Sequence, residues 1–65
     1  MPPAVLLIEL DSAESEVRLA HLYQVLAKGR HEVAIPLGEA SPEEVLAECL
    51  AHGVGVKRSR VVRNG

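Results

Sequence analysis

Ala4 to Leu10 (AVLLIEL) is apolar at nearly every position, without the alternation of a strand that has one wet face. That pattern suits a strand covered on both faces, as in a parallel sheet. The period changes at Asp11-Ser12-Ala13-Glu14. Asp11 can accept from the first-turn amides while Glu14 reaches back, a capping-box arrangement. The spacing then predicts a helix from about Ser12 to Lys28. Leu19, Leu22, Tyr23 and Leu26 fall at i, i+3, i+4 and i+7, with Val17, Ala20 and Val25 widening the stripe. Glu14 and Arg18 form an i,i+4 pair on the wet side. Gly29 can take the left-handed position that stops a helix.

His31 to Leu37 (HEVAIPL) reads as a second strand, and Pro36, which donates no hydrogen bond, marks its end or a sheet edge. Ser41-Pro42-Glu43-Glu44 is the clearest local signal in the chain. Ser41 is an N-cap, Pro42 sits at the first helical position with its φ already set, and Glu44 completes the capping box. The helix that follows is expected to bury Val45, Leu46, Cys49 and Leu50 and to end at Gly53. Val54 to Val62 reads as a third strand.

Strand, helix, strand, helix, strand predicts one α/β domain over residues 1–65, built on a three-stranded parallel sheet with right-handed crossovers. The order 2-1-3, with helices on opposite faces, is favoured by the unbroken apolar first strand. The order 1-2-3 puts both helices on one face and leaves the other bare. In either order the third strand overhangs its shorter neighbour, and an unpaired overhang is a natural edge for a second subunit. Residues 29–53 (GRHEVAIPLGEASPEEVLAECLAHG) resemble the second β-α unit of flavodoxin-like domains such as cobalamin-binding modules. Those modules carry an Asp-x-His-x-x-Gly loop after their first strand, where this chain has Asp11-Ser12-Ala13-Glu14. The resemblance implies the topology and no function.

A chain of 65 residues buries roughly 60% of its unfolded surface and is marginal alone. Small scaffolds therefore need a staple. Cys49 is the only cysteine, which excludes an intrachain disulfide, and no paired Cys/His spacing suggests a structural zinc. Oligomerisation is the staple left, so a homodimer or larger assembly is expected. The apolar run from Pro2 to Ile8 is too short to span a membrane, and no cationic leader precedes a long apolar core, so no membrane association and a cytoplasmic location are expected. Scarce amides and an excess of Arg over Lys are a bias shared by thermophile proteins and GC-rich genomes.

Charge is uneven. Through Val56 the chain holds nine acids and three bases, and from Lys57 onward it holds four bases and no acid. That makes Lys57, Arg58, Arg60 and Arg63 the candidate contacts for nucleic-acid phosphates or for a partner chain. On a strand Arg58 and Arg60 point one way while Lys57 and Arg63 point the other, and no aromatic accompanies them for base stacking.

The other constellations have structural explanations. Glu9, Asp11 and Ser12 after the first strand, with Gly38, Glu39 and Ser41 after the second, would share the carboxyl edge of a parallel sheet, where a hard cation could bind. Asp11 and Ser41 are better explained as caps, and Glu9 and Glu39 as solvated side chains. No glycine-rich phosphate loop follows the first strand. Cys49 and His52 share a helix face at C-x-x-H spacing, and His21 or His31 could join them on a metal. Cys49 lies in the apolar stripe, however, and His52 in the last turn, where a cation suits the helix dipole. Nothing assembles a nucleophile, base and oxyanion hole. The sequence therefore predicts a non-catalytic interaction module, without cofactor or metal, that self-associates through its sheet edge or face. Nucleic-acid binding through the basic strand is the alternative.

Overall fold

In a computed structural model, which describes residues 4–63, the chain runs β1 (Ala4–Leu10), α1 (Ala13–Leu22), β2 (Leu26–Gly29), β3 (Glu32–Pro36), α2 (Pro42–Ala51) and β4 (Val56–Arg63). Pro2 and Pro3, which open the apolar run, lie outside the described residues. The four strands form one sheet in the order β2-β3-β1-β4, and every neighbouring pair is antiparallel. This is the β-α-β-β-α-β, or split β-α-β, arrangement. It replaces the expected three-stranded parallel sheet and overturns the flavodoxin-like resemblance of residues 29–53, because β3 runs against β1.

The difference arises between Tyr23 and Gly29. α1 stops at Leu22, and Tyr23 caps it in an extended conformation, its N–H donating to the Leu19 carbonyl. Leu26–Gly29 then folds back as a hairpin on β3. The turn is closed by His31 at φ 59, where Gly29 had been expected to end the helix. The hairpin covers the outer hydrogen-bonding edge of β3, whose Val33, Ala34 and Ile35 are all buried and whose edge would otherwise stay open. Leu26, assigned by spacing to the helix stripe, is 55% exposed on the sheet.

Both helices pack on one face. Leu6, Ile8 and Leu10 of β1, Val33 and Ile35 of β3, Leu19 of α1, Val45 and Cys49 of α2, and Val54 form the buried core, with Leu22, Tyr23, Val25 and Leu46 packed against it. The alternate positions of β1, Val5, Leu7 and Glu9, are only half-buried. The first strand is therefore not covered on both sides. Leu50, expected in the core, is 81% exposed, and Val17 is exposed as well. β4 pairs with β1 from Ala4↔Arg63 to Leu10↔Val56 through one irregularity at Glu9/Leu10, so the expected overhang is absent. No helix among the described residues is long and apolar enough to cross a membrane.

Candidate functional site

The face of the sheet turned away from the helices is the most developed surface of the molecule. Pairing sets its side chains in rows. Glu9 lies opposite Glu32 on one side and Arg58 on the other. One step along, Leu7 lies between Ala34 and Arg60, and Leu26 extends that row beyond Ala34. The last row is Pro36, Val5 and Val62. Lys28 falls at the β2 irregularity, beside Glu32. Two adjoining depressions occupy this face. One, of about 370 Å³, is lined by Leu7, Glu9, Glu32, Arg58, Ser59 and Arg60. The other, of about 470 Å³, is lined mainly by Val5, Leu7, Leu26, Ala34 and Val62, with Lys28 and Glu32 at its rim.

The charge arrangement is unbalanced at close range. Glu9 and Glu32 face each other directly across β1 and β3, and like charges in that position oppose pairing. Glu9 has Arg58 Nε at 3.8 Å and Lys57 Nζ at 3.9 Å. Both contacts are long and exposed, so they offset little of the repulsion. Among the described residues neither Glu32 nor Arg60 has an ion-pair partner. Of the four sequence-predicted basic contacts, Arg58 and Arg60 thus share the open face, Lys57 leans to Glu9 at the irregularity, and Arg63 pairs with Ala4 at the far end of β4.

The other constellations come apart. Because β1 and β3 are antiparallel, Glu9 and Asp11 lie at one end of the sheet and Glu39 and Ser41 at the other. The carboxyl-edge cation site therefore does not form, and no group of three His, Cys, Asp or Glu side chains among the described residues could hold a metal. Cys49 is buried, and burial pushes its thiol up from its usual range. His52 caps α2, with its ring 3.4 Å from Glu48, His31 contacts Glu16 at 3.1 Å, and His21 is exposed at the end of α1.

Asp11 has a different task from the one its position suggests. Ser12, one residue later, is the N-cap of α1 and accepts from the Ser15 N–H at 3.2 Å. The Asp11 carboxylate accepts from the Ser15 hydroxyl at 2.6 Å and the Ser12 hydroxyl at 3.0 Å. Those two hydrogen bonds, Ser15 first, hold its carboxyl below the ordinary value. Ser15 Oγ in turn accepts from the Gly55 N–H at 2.9 Å, and the Asp11 N–H donates to the Gly55 carbonyl. The cluster ties the end of β1 and the start of α1 to the approach of β4, which is a structural role. Arg18 adds a second tie, donating to the Gly53 carbonyl and to Glu14.

Sequence reasoning identified Arg58 and Arg60 but not the surface they border. The one signal was the two-residue spacing of Arg58 and Arg60, which puts both on the same side of a strand, whereas the unbroken apolar run of β1 does not distinguish Val5 and Leu7 from its core positions. No family model, curated protein or solved structure matches the chain.

Proposed function

We propose that this chain is a cytoplasmic, non-catalytic interaction module that self-associates by stacking its open sheet face on that of a second copy. The observation that carries this reading is the apolar strip on the helix-free face, where Leu26 is exposed and Val5, Leu7 and Val62 are half-buried around the buried Ala34. Apolar side chains gathered on one open face and rimmed by charge are the natural place for a partner to pack. The size of the domain adds to the argument, since a scaffold this small gains stability from a further layer on the bare face of its sheet.

The face is favoured over the edge. Pairing β4 with its own copy about Arg60 would set Lys57 opposite Arg63 and Arg60 opposite itself, which like charges oppose. Four strands about 4.8 Å apart and five residues about 3.4 Å apart give a face on the order of 300 Å² in plan. Two such faces together give about 600 Å², below the range of stable specific interfaces, so the association is weak, reversible and concentration-dependent. Phosphate binding is disfavoured by Glu9 and Glu32 at the middle of the charged row, and no aromatic side chain lies on the face.

Light scattering behind size exclusion, over a concentration series with and without a short duplex, tests the reading. Mass rising towards a dimer, abolished by Leu7→Lys and indifferent to the duplex, supports it. A monomer at every concentration refutes it. Salt-sensitive co-elution with the duplex transfers the basic strand to nucleic-acid binding.

A further inference from the structure

We infer that the two copies cross at about a right angle, so that Arg60 of each lies over the Glu9/Glu32 pair of the other. This rests on the stacking proposed above and specifies the partner and its contacts. Take the midpoint between Leu7 and Ala34 as the centre of the face. Arg60 lies one and a half strand spacings from it across the sheet, about 7 Å. The midpoint of Glu9 and Glu32 lies two residues from it along the strands, again about 7 Å. The two directions are perpendicular.

A two-fold axis lying between the stacked faces and bisecting those directions therefore exchanges the two positions. It crosses the strands of the two copies at about 90°, one of the two ordinary ways sheets pack. The same operation sends Leu26, about 7 Å away on the opposite edge, over the partner's Val5 and Pro36 row, apolar on apolar.

The other symmetric stackings are worse. An axis along the strands sets Glu32 over Glu9 and Lys28 over Arg58, like on like. An axis across them sets Glu9 over Val5 and Arg60 over Arg60. The second diagonal sets the glutamate pair over Leu26. An unpaired carboxylate pressed on apolar surface is costly. Only the first diagonal gives Glu32 and Arg60, which have no ion-pair partner within the described chain, partners of opposite charge. It also places the two Arg58 side chains together at a solvent-exposed corner, like on like, and lays the Lys28 side chain over the partner's Val62, where its alkyl stem can pack and its ammonium reach the edge.

Sedimentation equilibrium on the full chain tests this with charge reversals. Arg60→Glu and the double variant Glu9→Lys/Glu32→Lys should each weaken self-association by about 30-fold or more. An equimolar mixture of the two should restore a dimer, because each copy then offers the other opposite charge at both contacts. The restored dimer also certifies that both variants are folded. Arg58→Gln, two residues from Arg60, should leave association unchanged or tighten it. If Leu7→Lys abolishes the dimer but neither reversal weakens it, or if the mixture stays monomeric while circular dichroism shows both folded, the face is an interface and the crossed arrangement is wrong. If the unaltered chain is monomeric throughout, the stacking proposal itself falls.

Discussion

Ser15→Ala removes one hydroxyl from the cluster that joins β1, α1 and β4, and its cost can be worked from the contacts. Ser15 is 3% exposed. Its Oγ accepts from the Gly55 N–H at 2.9 Å and donates to the Asp11 carboxylate at 2.6 Å. Removing it leaves a part-buried backbone N–H without its partner, worth about 1–3 kcal/mol, and deletes the hydrogen bond to the Asp11 carboxylate. Asp11 is exposed and recovers much of the second loss from water. Alanine also prefers the helix by a few tenths of a kcal/mol. The net destabilisation is about 2 kcal/mol, or roughly 8–16 °C in Tm for a domain of this size. Thermal unfolding by far-ultraviolet circular dichroism measures it, at one fixed protein concentration because self-association shifts Tm. Gly55→Ala supplies an independent arm. A Cβ there would stand 1.9 Å from Asp11 Oδ2, so the carboxylate must leave Ser15. Asp11→Ala should therefore rescue much of the Gly55→Ala loss. A Tm change under about 2 °C for Ser15→Ala, or strict additivity of Asp11→Ala and Gly55→Ala, would refute the cluster as a joint.

The remaining expectations concern caps, exposed apolar groups and acid. Ser41→Ala should lower stability by about 1 kcal/mol in a urea titration, because Ser41 Oγ accepts from the Glu44 N–H at 3.2 Å. Leu50→Gln should change the same titration midpoint by less than about 0.5 kcal/mol equivalent, since Leu50 is exposed on the outer side of α2. The Asp11 carboxyl titrates below its ordinary value of 3.8 in the folded chain, so its contribution is complete above that value and is lost as pH falls through the lowered one. Unfolding monitored below about pH 4 should show this acid limb, and Ser15→Ala, which removes the main cause, should flatten it.

The sequence made some elements legible and concealed others for identifiable reasons. Ser41-Pro42-Glu43-Glu44 marks the start of α2 because capping and proline chemistry act within one turn, and the observed N-cap is Ser41. Apolar runs located β1 and the strand from Glu32 to Pro36. Strand direction was lost at one place. Leu22, Tyr23, Val25 and Leu26 fit a helical period, yet the chain leaves the helix at Leu22 because the next residues form a hairpin that closes the edge of β3. That preference is tertiary, and no local signal announces it beyond Gly29 and the turn that follows. Missing β2 reversed every later strand, turned antiparallel pairs into parallel ones, and gathered Glu9, Asp11 and Glu39 onto an edge they do not share. The same error hid the open face, since Leu7 and Val5 read as core when both sides of β1 are assumed covered. The basic spacing of Arg58 and Arg60 was visible, but their relation to Glu9, Glu32 and Leu7 is set by register across strands distant in sequence.

Self-association through the sheet face is tested most directly by isotope-filtered nuclear Overhauser spectroscopy on an equimolar mixture of labelled and unlabelled chains. Stacking of the open faces predicts intermolecular signals from the methyl groups of Leu7, Leu26 and Val62 and none from Val17 or Leu50 on the helical side. Intermolecular signals confined to the helices or to the outer edge of β4, or none at concentrations where the mass is dimeric, would contradict it.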